Sequence, residues 1–385
     1  MAALQYRPAI DGLRAIAVIS VFIFHLNHSW LPGGFVGVDV FFVISGYLIT
    51  SIILKDCEKG EFSLLRFYQR RIARIFPAFF TVAFATLLAA SFIYSPQDYA
   101  SAGANLVAAA LSVANMKFML QGNYFEISPD AQPFLHYWSL SVEEQFYLVF
   151  PLLFLLLFKY ARKHLILILS ILGLGSLIAC LALTPAKPVW AFFLLPTRAW
   201  ELFAGSLLAV MSLHPTSASS PSRHPWLPAL GLLLVGLSFA LIHEGAHFPG
   251  CLAILPVLGT LALLFPHTAA NGHVEKWLSA PLLVKLGRMS YSLYLWHWPV
   301  FSIIDYEMYL SPEPLRLLLK IGISFPLAFL SFVIIENPSR IFLNQRGISA
   351  ESARNQVARL RFTCGRITHL HSPGHLNPPE PLCEC

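Results

Sequence analysis

Apolar runs of about the length needed to cross a hydrocarbon layer recur ten times along this chain, at 13–29, 35–54, 75–94, 140–158, 165–183, 192–211, 226–243, 250–267, 290–306 and 316–336. A lipid interior offers no water to backbone N–H and C=O groups, so such runs are confined to structures that satisfy their own hydrogen bonds. Helices do this within each run. Composition agrees, with 56% hydrophobic residues, only 12% charged residues and a mean hydropathy of +0.64, where soluble domains are about one quarter charged. The fold expected is an all-α integral membrane protein, a bundle of about ten transmembrane helices filling residues 1–340. A disordered cytoplasmic tail over 341–385 is expected to follow.

The net charge of +6 does not indicate nucleic acid, because the basic residues alternate with apolar runs instead of sharing one soluble face. With the N-terminus placed in the cytoplasm, 21 of the 26 Lys and Arg fall at the inner face or in the tail, as the positive-inside rule requires. Lys117 and Lys187 fall outside, and Arg198, Arg316 and Lys320 lie within or at the ends of spans. Making 101–120 a further span would invert every later loop, so that small-residue segment is expected to be an outer-face or partly embedded helix. The first run keeps Asp11 and Arg14 and lacks a convincing small-residue cleavage site, which suits an uncleaved first span. The six cysteines are scattered and imply no disulfide framework. Cys364, His369, His371, His375, Cys383 and Cys385 in the tail match no standard metal-ligand spacing, and no metal is expected.

Two residues of the first run carry the chemistry forward. Arg14 and His25 are eleven steps apart, which on an α-helix returns to nearly the same face about 16 Å further on. Ionisable groups inside a membrane span are costly and usually functional, and an imidazole near neutral pH acts as a general base or as a transient acyl carrier. The basic segment FYQRRIARIFPAFF adds Arg70, Arg71 and Arg74 at the same face as Arg14. It is either ordinary anchoring at the inner surface or a site for the phosphates of a nucleotide-bearing cofactor.

Further polar groups fall in or near the remaining runs. Asp39, in PGGFVGVDVFFVISGYLIT, is read as orienting His25, its alternative being an interfacial carboxylate in water, and the glycines of that segment permit close helix approach. Glu143 and Glu144, in HYWSLSVEEQFYLVFP, are expected to line a polar cavity or to position a hydroxyl acceptor, with His136 and Trp138 at the outer interface. Arg198 and Glu201 are spaced for an intrahelical ion pair, structural or substrate-contacting. His297 between two tryptophans reads as part of an aromatic belt or as a cover for a sugar ring. Glu336 and Arg340 read as a structural ion pair closing the last span.

Taken in order, YRPAIDGLRAIAVISVFIFH, GFVGVDVFFVISGYLI, RFYQRRIARIFPAFF, WSLSVEEQFYLVFP, WELFAG, SYSLYLWHWP and IENPSR resemble the membrane-bound acyltransferase family 3, in its bacterial O-antigen acetylase-like branch. The resemblance runs from residue 6 to about 340. It implies ten membrane helices, acetyl-CoA as donor and O-acetylation of an envelope or exported carbohydrate such as lipopolysaccharide O-antigen or exopolysaccharide. By resemblance, Arg14 and His25 are the essential pair, Arg70, Arg71 and Arg74 the basic motif, and Glu143 and Glu144 the acidic motif. Many relatives continue through an eleventh helix into an extracytoplasmic esterase-like domain of the Ser-Gly-Asn-His type. Nothing after Ile335 is long and apolar enough to span, so that domain is expected to be absent and a separate extracytoplasmic transferase becomes an expected partner. The rival expectation is a transporter or flippase of an acylated glycan or lipid, which predicts internal repeats that the chain does not show.

Overall fold

The computed structural model describes residues 6–122, 131–213, 225–245, 247–266 and 272–342. The tail cysteines and histidines read above as poor metal ligands lie outside them. Among the described residues the protein is helical throughout, and each of the ten apolar runs carries a helix. In chain order these are α1 (Pro8–Leu26), α2 (Gly37–Glu58), α3 (Leu64–Ile93), α4 (Pro96–Ala110), α5 (Ala114–Gln121), α6 (Tyr137–Tyr160), α7 (Leu165–Ala186), α8 (Pro188–Phe193), α9 (Leu195–Leu213), α10 (Leu227–Leu241), α11 (Ile254–Leu264), α12 (His273–Leu278), α13 (Pro281–Arg288), α14 (Ser290–Glu307) and α15 (Glu313–Ser331). Seven helical stretches, at α1, α2, α3, α6, α7, α8–α9 and α15, are long and apolar enough to cross a membrane by length and composition alone. Helices α10 and α11 are apolar but shorter, and α14 reaches 18 residues with His297 and Asp305 along it.

Two boundaries differ from the sequence reading in ways that matter for the site. Helix α1 begins at Pro8, whose fixed φ and missing N–H suit a first helical position, so Arg14 sits well inside it rather than near its start. Helix α3 begins eleven residues before the expected span, where the Ser63 hydroxyl accepts a hydrogen bond from the Arg66 N–H at 3.4 Å. Arg70, Arg71 and Arg74, which precede the expected span of 75–94, therefore lie in the first part of a 30-residue helix.

Helices α2 and α9 form the centre of the bundle and are buried over more than two thirds of their apolar windows, whereas α7 and α15 are buried over less than a third. Glycine makes the centre close. A Cβ on Gly46 would strike the Leu202 carbonyl, and one on Gly205 would strike the Val43 carbonyl, so α2 and α9 approach backbone to backbone. Chains of Phe and Leu on α3 and α7, among them Phe84, Phe92, Leu167 and Ile178, are exposed and supply the apolar surface that a hydrocarbon solvent accepts.

The segment 101–120 is two helices, not one. At Ser112, with φ of 57°, α4 gives way to α5 across a short turn. The turn is held from α6: Gln145 donates to the Ser112 carbonyl at 2.8 Å, and the Ala114 N–H donates to the Ser141 hydroxyl at 3.2 Å. Non-helical backbone buried in an apolar bundle survives only where protein groups satisfy it, and these side chains do so. At the far end of the chain, α15 runs into a π-turn at Phe332–Glu336. Glu336 is buried there and accepts from the Ser292 hydroxyl at 2.6 Å, while Arg340 donates to Asn337 at 3.2 Å. The expected Glu336–Arg340 ion pair is not formed, because the π-turn directs the carboxylate inward to α14.

Candidate active site

The site is a series of three cavities along the bundle. The first, about 130 Å³, lies beside Arg14 in the N-terminal half of α1. Its polar wall comes from four helices: Arg14 on α1, Arg71 and Arg74 on α3, Glu143, Glu144 and Tyr147 on α6, and Tyr291 and Tyr294 on α14. The turn at Ser112 closes one side. Arg14 is held at 3.3 Å from Asp11, one turn back on its own helix. Arg71 lies over the Tyr147 ring at 4.5 Å, and neither Arg71 nor Arg74 forms an ion pair among the described residues. Two guanidinium forks thus face the cavity with donors unspent, an arrangement that suits a polyanion.

Arg70 does not join them. It is half exposed and lies 3.9 Å from Asp56 on α2. Neighbouring helical positions point about 100° apart, and the side of α3 packed on the bundle is the one that carries Arg71 and Arg74. Glu143 and Glu144 both line this cavity, and Glu143 accepts hydrogen bonds from the Ser45 and Tyr147 hydroxyls.

Val38 and Tyr294 separate this cavity from a second, of about 10 Å³, which they also line together with His25 and Asp39. That volume is about one water. His25 in turn lines a third cavity of about 240 Å³ toward the opposite end of the bundle. His25 therefore stands between the arginine-lined space and the far opening.

Asp39 occupies the same small cavity but is engaged elsewhere. Arg198 donates to it at 2.9 Å and lies 3.2 Å from Glu201, all three buried. The Arg198 guanidinium is boxed by the rings of Phe42, Phe192 and Phe248 at 5.5–5.9 Å. The Arg198–Glu201 spacing was legible in sequence, but the third member was not, and the reading of Asp39 as the group that orients His25 is corrected. Three charges buried in contact neutralise one another only in part, and Asp39 is tied to the structural core of α2 and α9.

The group against His25 is His297. His25 Nδ1 lies 3.2 Å from His297 Nε2, and His297 Nδ1 donates to the Tyr294 carbonyl at 2.6 Å. With His297 neutral, its Nδ1 proton is committed to that carbonyl, so Nε2 carries the lone pair and must accept from His25 Nδ1–H. The proton on His25 is thereby placed on Nδ1, and its basic lone pair on Nε2. The ring also packs edge-on against Trp298 at 4.6 Å. His136 and Trp138, expected at the outer interface, are both buried. His136 packs against His297, with ring centroids 5.6 Å apart, because α14 lays its own aromatic residues over the start of α6. Among the described residues no three His, Cys, Asp or Glu side chains are grouped to hold a metal ion.

The site thus pairs an arginine-lined cavity with a half-buried imidazole, His25, whose tautomer His297 sets, within an all-α bundle. The family model described as an acyltransferase domain matches residues 7–335, and the chain belongs to that family, acyltransferase 3. It is 33% identical over 351 residues to the peptidoglycan O-acetyltransferase OatA of Listeria monocytogenes, an alignment covering 87% of this chain and 56% of that protein. It is 32% identical over 356 residues to the O-acetyltransferase OatA of Staphylococcus aureus, covering 87% of this chain and 57% of the relative. The chain thus spans a little under three fifths of the length of these curated relatives. No solved structure matches it.

Proposed function

We propose that this protein transfers an acetyl group from acetyl-CoA to a hydroxyl of an envelope or exported carbohydrate, working from the two sides of a bacterial cytoplasmic membrane. The observation that carries this reading is the position of His25, which borders both the passage from the arginine-lined cavity and the cavity at the opposite end. The N-terminal end of the bundle faces the cytoplasm in this reading, so that Arg71, Arg74 and Arg14 receive the phosphates of the coenzyme and its pantetheine arm directs the thioester past Tyr294.

In the transfer, His25 Nε2 removes the proton from the acceptor hydroxyl as its oxygen attacks the thioester carbonyl. The new C–O bond forms, the C–S bond breaks, and the imidazolium returns the proton to the departing thiolate. Positioned general-base catalysis of this kind contributes about 10²- to 10⁴-fold. Glu143, held by two hydroxyls, orders the wall against which the acyl arm lies. The Listeria relative is named for peptidoglycan, which makes that polymer the first acceptor to test, beside the O-antigen and exopolysaccharide that the sequence resemblance implies. Where the acceptor lies beyond reach of the bundle, a separate extracytoplasmic transferase completes the transfer.

The test supplies acetyl-labelled coenzyme A to membranes containing the protein and follows label into envelope glycans. His25→Ala is expected to lower transfer at least 100-fold with unchanged protein abundance. Undiminished transfer would remove His25 from the reaction, and label in a released, unmodified glycan carrier would favour transport without chemistry.

A further inference from the structure

The largest of the three cavities has no part in holding the donor, yet His25 is one of its walls. It lies beyond His25 from the arginine-lined space and is bounded by α1, α14, α15 and the loop at Glu244. Its 240 Å³ greatly exceeds the space one water needs. What lines it is unusual for a membrane bundle. Lys320 is buried and donates to Asp305 at 2.6 Å, and Arg316 donates to the other oxygen of the same carboxylate at 3.2 Å. Asn27 donates to Glu313 at 3.3 Å. The Trp298 ring, against His25, is locked by its own N–H donating to the Gln132 carbonyl at 2.8 Å. Lys320 is the buried member of this group, and a cation buried in a membrane bundle is costly and usually functional.

We infer that this cavity is the acceptor subsite and that it takes a neutral, hydroxyl-rich sugar residue in preference to a carboxylated one. The inference rests on the reading of His25 as the transfer base and adds the place and the chemistry of the acceptor. Carboxylate oxygens and fixed cations at short range match the alternating donors and acceptors of vicinal hydroxyls, and a rigid indole supplies an apolar wall for a pyranose face. The charge pattern decides the class. Both cations are already engaged by the single carboxylate of Asp305, while Glu244 and Glu313 add two further carboxylates to the lining. Three carboxylates (Glu244, Asp305 and Glu313) against two cations (Arg316 and Lys320) leave these groups with one negative charge in excess, so an anionic sugar meets net repulsion. A hydroxyl seated in this cavity lies against the wall that His25 forms, where the thioester carbonyl must also arrive for direct attack.

The experiment is calorimetric binding to the full-length protein in lipid nanodiscs without donor, with N,N′-diacetylchitobiose as neutral probe and a uronic-acid-containing disaccharide of the same size as anionic probe. The neutral probe is expected to bind at least 10-fold more tightly than the anionic one. Asp305→Asn is expected to weaken the neutral probe by about 10-fold or more while acetyl-CoA binding, measured on the same sample, stays within 2-fold and certifies the fold. Glu313→Gln, which leaves the Asp305 cluster intact, is expected to narrow the discrimination against the anionic probe, and it serves if Asp305→Asn does not fold. Equal affinity for both probes, tighter binding of the anionic one, or indifference to both substitutions would overturn the inference. Failure of acetyl transfer in the wild type with saccharide binding intact would instead count against the enzymatic reading, so the two failures are distinguishable.

Discussion

Arg70, Arg71 and Arg74 carry the same guanidinium within five residues of α3, and packing alone divides their work. Arg71 and Arg74 face the cavity, and Arg70 faces Asp56 and solvent. Arg71→Ala and Arg74→Ala are each expected to raise the KM for acetyl-CoA roughly 10-fold, the loss of about one charged hydrogen bond, with little change in acceptor KM. Arg70→Ala is expected to change donor KM less than 2-fold, since exposed pairs contribute little; steady-state kinetics with each variant separates them. In the proposed reaction His297 would act through its contact with His25, as a positioning residue. His297→Leu removes the acceptor that holds the His25 proton on Nδ1, and kcat is expected to fall about 10- to 100-fold while donor KM holds. His297→Gln, whose amide oxygen can again accept from Nδ1, is expected to recover part of that loss. Equal kcat for the two variants would make His297 a packing residue only. Arg14, His25 and the Glu143–Glu144 pair were legible from sequence because each is a polar residue in an apolar run, and spacing along one helix is enough to notice them. His297 was visible as a residue but not as the partner of His25, since 272 positions separate them and no periodicity relates one helix to another.

At the scale of elements, the buried Asp39–Arg198–Glu201 cluster and the glycine contacts together join α2 to α9. Removing one member of a buried charge cluster leaves the others unpaired, which costs about 3–5 kcal/mol. Arg198→Met is therefore expected to lower the thermal unfolding midpoint in detergent and to reduce folded yield, and the substitution should act on abundance before it acts on kcat. An unchanged midpoint would show that the cluster is not what ties the two helices. That the chain is a bundle of apolar helices could be read from the sequence, because hydrophobic length is a local property; seven of the helical stretches are long and apolar enough to span. The early start of α3 was not, since its first turns are polar and only the Ser63 cap marks them. The break between α4 and α5 was not legible, and the segment read as one outer-face or partly embedded helix. Its turn depends on Gln145 and Ser141 reaching from another helix, and the sequence records no such contact.

At the scale of the whole molecule, three cavities follow one another along the bundle, with Val38 and Tyr294 shared by the first two and His25 by the small one and the largest. A chain whose ends face different compartments can therefore keep donor and acceptor apart until they meet at one imidazole. Family membership and the buried geometry agree on group transfer, and the arrangement adds sidedness as the property to measure. The direct measurement uses proteoliposomes with the protein inserted in one known orientation, labelled acetyl-CoA on the side of Arg71 and Arg74, and a neutral saccharide acceptor only on the other side. The account predicts labelled saccharide in the acceptor compartment, abolished by His25→Ala, with no product when the two substrates exchange sides. Transfer that requires both substrates on the same side would contradict it.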